Sequence, residues 1–227
     1  MSNLSYDGVL LDLDGTLADT APDMGAALNA LLSEEDHEPL PFSRIRPVVS
    51  HGARGLLQLG FGEAVATERE AELRGRFLSL YESVLCNGTT LFPGVAEVLE
   101  RLESWHVPWG VVTNKPAYLT EPLLEQLQLR QRATCVVSGD TVAKAKPHPW
   151  PLYHAAAAMD RHPRHCLYVG DAERDIMAGR AAGMDTLIAA YGYIAANDRP
   201  ESWRAKGSID HPTEILFWVD GAFVHAG

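Results

Sequence analysis

Two aspartates separated by one leucine, Asp12 and Asp14, close an apolar run in the segment GVLLDLDGT at residues 8–16. On extended backbone alternate residues face the same way, so both carboxylates lie on one side. Held close together they repel, unless a cation or a shared proton compensates. Other apolar runs stop at Thr113–Asn114 and at Gly170–Asp171, with Asp175 one turn beyond and Lys146 in the loop KAKPHP. Four acids, a hydroxyl beside an amide and one lysine make a set too negative to stand bare. A hard cation with oxygen ligands, Mg²⁺ above all, relieves that repulsion.

The elements that must position these residues are readable. Apolar runs at 8–14, 109–114, 135–140, 166–171 and 185–192 suit strands of a parallel sheet covered on both faces. Helical patterns follow at 94–105, 118–129 and 173–183, the last stopping at Gly183. Strand–helix alternation of this kind predicts an α/β, doubly wound parallel sheet. In such sheets ligands bind outside the carboxyl ends of the strands, where the acids, Thr113 and Asn114 fall. Residues 17–87 break the rhythm: the patterns at 22–36 and 67–85 are helical and no strand-like run separates them. The expected division is a core of residues 1–16 and 88–227 with an all-helical cap of residues 17–87. The tail at 191–215 reads as loop along the sheet edge.

A net charge of −11 argues against a nucleic-acid partner, because phosphate backbones demand a basic surface. Any anionic substrate must then be drawn in by a local positive site. Three cysteines without close pairing predict reduced thiols. The first residues lack a signal-peptide pattern and no apolar run is long enough for a membrane span, so a cytoplasmic location is expected, with no membrane partner. His148, His154, His162 and His165 are irregularly spaced and read as surface or structural residues.

The chain resembles the haloacid dehalogenase superfamily, whose motifs appear in order: D-x-D-G-T at 12–16, a strand-terminal Thr113, Lys146 and G-D-x-x-x-D at 170–175. The resemblance implies a Rossmann-like core with an inserted cap and assigns roles. Asp12 is then a nucleophile that forms an aspartyl-phosphate, and Asp14 the acid and base that protonates the leaving oxygen and activates water. Asp171 ligates Mg²⁺ with Asp12 and the Asp14 carbonyl, and Asp175 is either a further ligand or a partner of the ligands. Thr113, Asn114 and Lys146 hold the phosphoryl oxygens. The rival reading, a phospho-accepting signalling domain, fits the order of the acids poorly, since here the nucleophile comes first and the second acidic pair last.

Within the superfamily, the lack of any lysine from 17 to 114 disfavours phosphonate cleavage and sugar-phosphate mutation, while Asp14 and Asp171 disfavour dehalogenation. The stretch S-x-G-A-R at 50–54, with WGVVTNKP and YGYI…D-x-P-x-x-W, resembles the phosphoglycolate phosphatase group and most of all its N-acetylmuramic acid 6-phosphate phosphatase branch. That implies a phosphomonoester substrate bearing a carboxylate, read by Arg54 and His51. A small-molecule phosphate ester is thus the expected partner, and a monomer or a homodimer the expected state.

Overall fold

The computed structural model describes residues 4–221. Its strands are β1 (Gly8–Leu11), β2 (Ala18–Asp19), β3 (Thr90–Leu91), β4 (Trp109–Val112), β5 (Cys135–Val137), β6 (Cys166–Gly170), β7 (Asp185–Ala189) and β8 (Gly207–Ile209). Its helices are α1 (Ala21–Glu34), α2 (Phe42–Ile45), α3 (Gly52–Phe61), α4 (Glu63–Glu68), α5 (Glu70–Ser83), α6 (Val95–Ser104), α7 (Ala117–Gln126), α8 (Trp150–Ala158), α9 (Glu173–Ala182) and α10 (Glu214–Val219). Six strands form one parallel sheet in the order β5-β4-β1-β6-β7-β8.

The side-chain period of two divides this sheet between two helical layers. Val9, Leu11, Val111 and Val169 pack with Val98 and Leu102 of α6 and Leu119 and Leu123 of α7. Leu10, Val112, Val137 and Tyr168 pack with Leu152 and Ala155 of α8 and Ala178 of α9. Both faces are therefore apolar, which is why the strands read as unbroken hydrophobic runs. β1 lies at the point where the strand order reverses, with β4 on one side and β6 on the other. Leu11 is in register with both Val111 and Val169, so the residues beyond these three strands emerge at one edge.

The chain between β1 and β4 carries α1 to α5, whose Leu28, Leu31, Leu56, Leu73 and Phe77 are wholly buried together. It is not entirely helical. β2 opens it and pairs antiparallel with β3, forming a two-stranded ribbon where the chain leaves and returns. Asp23 of α1 ties that return: its carboxylate accepts from Gly88 N at 2.7 Å, Thr89 N at 3.0 Å and Thr89 Oγ1 at 2.6 Å. The tail also departs from expectation. It contains β8, paired with β7, and α10, both too short to show a period in the sequence.

Asp23 is buried and satisfies three donors, so Asp23→Ala leaves those donors unpaired in low dielectric. The expected loss of unfolding free energy is about 2–3 kcal/mol, read by urea denaturation; a loss under about 0.5 kcal/mol would show that the clamp contributes nothing.

Candidate active site

Because β1, β4 and β6 are neighbours, Asp12, Thr113 and Asp171 come together at the carboxyl edge of the sheet. The Asp12 amide donates to Val169 O at 2.9 Å and the Thr113 amide to Val137 O at 2.9 Å, so the ladder continues into the site. The turn after Asp14 needs Gly15: its φ is +84°, and a Cβ there would run into the Asp171 carboxylate.

Asp12, Asp171 and Asp175 offer carboxylate oxygens that all lie within 4.8 Å of one another, and each residue is buried. Lys146 bridges two of them, with Nζ 2.8 Å from Asp12 Oδ1 and 2.8 Å from Asp175 Oδ1. Asp12 Oδ1 also accepts from Leu13 N at 2.8 Å. Among the described residues, the positive group facing its Oδ2 is the Arg174 guanidinium, at 4.0 Å. Burial and the Asp175 charge push the Asp12 carboxyl up despite Lys146. Asp175 goes the other way: burial opposes ionisation, but Lys146 and Arg174 more than offset it and hold its pKa below the usual carboxylate range.

Asp171 has no ion-pair partner among the described residues. Burial, with Asp12 and Asp175 close by, pushes its carboxyl up to about 7. It accepts hydrogen bonds from Ser50 Oγ at 2.5 Å and Tyr193 N at 2.9 Å on Oδ2. An all-oxygen, buried acid cluster short of positive charge has the chemistry of a hard-cation site, and the residues present fit Mg²⁺. Both Asp175 oxygens already carry protein donors, Tyr168 and Lys146 on one and Ala172 N on the other. Asp175 therefore orients Lys146 and the start of α9.

The remaining sequence candidates divide. Asp14 does not join the three-carboxylate cluster; its Oδ1 accepts from Thr20 Oγ1 at 2.7 Å and meets Lys115 Nζ at 3.1 Å. Thr113 is buried at the site, its Oγ1 accepting from Lys115 N at 3.1 Å. The Asn114 side chain is used elsewhere: it exchanges two hydrogen bonds with the Lys146 backbone, at 2.9 and 3.0 Å. It fixes the lysine's loop, which leaves only its main-chain amide for a ligand. The four histidines contribute no metal cluster among the described residues.

Above the acids lies a cavity of about 240 Å³. Its walls include Met24, Val49, Phe77 and Leu78, and His51 and Arg54 also line it. Three further cations line it that the sequence motifs do not single out: Arg74 of α5, Arg174 of α9 and Lys115. Lys115 lies buried between Asp14 and Tyr81, and these two hold its ammonium above the usual lysine range although burial works against it. The position of Lys115, directly after the strand-terminal Thr113–Asn114 and before Pro116, is the signal available for it. Ser50 stands in the S-x-G-A-R stretch, but nothing in that stretch points it at Asp171.

The fold and this site define a phosphatase of the haloacid dehalogenase type. The family model described as haloacid dehalogenase-like hydrolase matches residues 9–189, and the chain belongs to that family. Among curated relatives, a phosphoglycolate phosphatase of Xanthomonas campestris is 46% identical over 215 residues, covering 95% of this chain and 96% of that one. An N-acetylmuramic acid 6-phosphate phosphatase of Pseudomonas putida is 40% identical over 214 residues, covering 94% and 96%. The crystal structure of a predicted phosphoglycolate phosphatase from Haemophilus somnus superposes with a TM-score of 0.81 at 26% identity, covering 93% and 97% of the two chains. No helix of the described residues is long and apolar enough to cross a membrane.

The raised Asp171 pKa carries a stability consequence of definite sign. Folding favours the protonated form, so that contribution is fully present below about pH 4 and is lost as pH rises through about 7. In chelator-treated protein, Asp171→Asn removes the penalty of ionising this buried group. The variant is expected to be more stable than the parent at pH 8 by on the order of 2 kcal/mol and to match it near pH 4. Chemical denaturation of both proteins across that range checks it; equal stability at pH 8 contradicts the assignment.

Proposed function

We propose that the chain hydrolyses a small phosphomonoester carrying a second anionic group, through an aspartyl-phosphate on Asp12 and with Mg²⁺ bound. The observation that carries this reading is the cavity itself. At its floor stands a nucleophile-grade carboxylate with one oxygen, Asp12 Oδ2, clear of strong donors. At its walls, besides Lys115 and Arg174 that face the acids, stand three cation-forming side chains without an ion pair among the described residues, His51, Arg54 and Arg74, in a protein of net charge −11. A monoanionic neutral-bodied ester does not need that many.

In this mechanism an Asp12 oxygen attacks phosphorus as the ester P–O bond breaks. Asp14, protonated, gives its proton to the departing oxygen. Water then attacks the phosphorus of the aspartyl-phosphate and loses a proton to Asp14, which releases inorganic phosphate and restores Asp12. Lys146, the Thr113 hydroxyl and the Asn114 main-chain amide meet the phosphoryl oxygens. Asp171, Asp12 and the Asp14 carbonyl would hold the Mg²⁺ ion, with Asp175 orienting from behind; when bound, the ion supplies positive charge to the phosphoryl oxygens. Residues 17–87 act as a cap over the cavity and hinge at the β2–β3 ribbon, near 16–20 and 87–91.

For the second anion the relatives suggest a carboxylate, as in 2-phosphoglycolate or N-acetylmuramic acid 6-phosphate. The apolar wall of Met24, Val49, Phe77 and Leu78 favours the larger, sugar-bearing ester, since a two-carbon acid has nothing to place against it. Arg54 and Arg74 are exposed and have no ion pair among the described residues, so they are free to read the carboxylate.

A phosphate-release assay with both esters, hexose 6-phosphates and nucleoside monophosphates, with Mg²⁺ or EDTA, tests the reading. Activity should require Mg²⁺ and fall on the order of 10³-fold or more in Asp12→Asn. Replacing Arg54 or Arg74 with Ala should raise KM for the carboxylate-bearing ester about tenfold or more, while leaving p-nitrophenyl phosphate nearly unchanged. Equal shifts on both substrates would remove these arginines from substrate reading.

A further inference from the structure

Lys115 is a lysine with little reason to be inside a protein. It occupies the turn after β4, yet only 4% of its side chain is exposed. Its ammonium is 3.1 Å from Asp14 Oδ1, 2.9 Å from the Tyr81 hydroxyl and 4.3 Å from the centroid of the Tyr81 ring. Three separate segments meet there: the D-x-D turn after β1, the turn after β4, and helix α5. A methionine would fill the same space without dragging a charge out of water, so packing alone does not account for the residue.

The contacts on Asp14 are lopsided. Lys115 and the Thr20 hydroxyl, at 2.7 Å, both address Oδ1. Asp14 Oδ2 has no hydrogen-bond or ion-pair partner among the described residues. Two donors on one oxygen fix the rotation of the carboxylate and leave the other oxygen for proton traffic. One of those donors is itself held by α5 through Tyr81, which stacks at 6.4 Å on Phe77, a wall of the cavity.

We propose that Lys115 is the positioning residue for Asp14, and that Tyr81 makes this positioning depend on where α5 sits. The acid–base group is then presented correctly only when the helical insert lies over the core. This inference rests on the reading of Asp14 as proton donor and acceptor. It adds a residue and a coupling that the four motifs do not contain. No bond to Lys115 forms or breaks; it sets where Asp14 gives and takes its proton.

The test exploits leaving groups. A sugar 6-phosphate expels an alkoxide that must be protonated, whereas p-nitrophenyl phosphate expels a stable anion that needs no proton. Breakdown of the aspartyl-phosphate needs Asp14 with either ester. Lys115→Met is therefore expected to slow turnover of the sugar ester on the order of 100-fold, with KM little changed. With p-nitrophenyl phosphate it should show a burst of one nitrophenol per enzyme within about threefold of the parent rate, then slow phosphate release. Tyr81→Phe should show the same split more weakly, and the double variant should be no slower than Lys115→Met, because both act on one oxygen. Equal slowing of the first turnover with both esters, or sugar-ester turnover within about threefold of the parent, overturns the proposal. If Lys115→Met loses its circular dichroism signal, Tyr81→Phe decides alone: a selective loss on the sugar ester supports the coupling, and parent-like rates on both esters refute it. Failure of the parent to release phosphate from either ester would instead overturn the phosphatase mechanism, a separate outcome.

Discussion

Repulsion among buried carboxylates at the carboxyl edge of the sheet sets the terms for the rest of the molecule. Asp12, Asp14, Asp171 and Asp175 face three cations drawn from three places, Lys146 from the loop before α8, Lys115 from the turn after β4 and Arg174 from α9. Each cation is itself expensive to bury, and the two lysines are held by more than the acids they serve. Asn114 pins the backbone of Lys146 with two hydrogen bonds, and Tyr168 and Val112 O engage its ammonium. The balance leaves Asp171 without an ion pair among the described residues, and burial with Asp12 and Asp175 close by pushes its carboxyl up to about 7. In the proposed reading a divalent ion held by Asp171 would complete the balance, so that a phosphate dianion would meet a site close to neutral.

The helical insert does more than roof this edge. Ser50, at the start of the S-x-G-A-R stretch, donates to Asp171, and Tyr81 holds Lys115 against Asp14. The ribbon is braced from both sides: Arg46 makes two 2.7 Å bonds to Asp19 and lies 4.9 Å from the centroid of the Tyr193 ring, whose hydroxyl also donates to Asp19 at 2.7 Å. Insert and core therefore meet through polar contacts on the acids themselves. A change in the insert reaches the chemistry directly, since Asp14 and Asp171 each take one hold from the core and another from a network that ends in the insert.

The site is more legible in the sequence than its supports are. Asp12, Thr113, Lys146, Asp171 and Asp175 each end or follow a strand strong enough to read, and parallel register does the rest. Asn114 reads as a phosphate ligand, yet its side chain is spent on a loop, because residue type cannot say which way an amide turns. Lys115 and Arg74 escape notice for a related reason. A lysine in a turn and an arginine on a helix are ordinary surface residues until a distant element, here the cavity between α5 and the sheet, gives them an inside. β2, β3 and β8 are two or three residues long and carry no period, so only their pairing partners define them. The YGYI segment reads as a family mark without a task; the structure gives it two, Tyr193 at Asp171 and the ribbon, and Tyr191 donating to Thr16 O at 3.0 Å.

Two kinds of cation stand at the site, those on the acids and those on the cavity wall. Lys115 and Lys146 are buried and locked on carboxylates, so their charge is largely balanced in the resting protein and their places are fixed by the acids. Arg54 and Arg74 are exposed and unpaired among the described residues, and in water a lone guanidinium gains little from a carboxylate. In the proposed reading their contribution would grow once an ester fills the cavity and displaces solvent from them, because the same pair in lower dielectric is worth several times more. On that reading discrimination would be strongest for a substrate long enough to reach both the acids and the arginines, and weakest for one that satisfies the floor alone. On that reading an acidic protein would admit a dianion that its overall field repels, since the attraction is confined to the short range of the cavity walls.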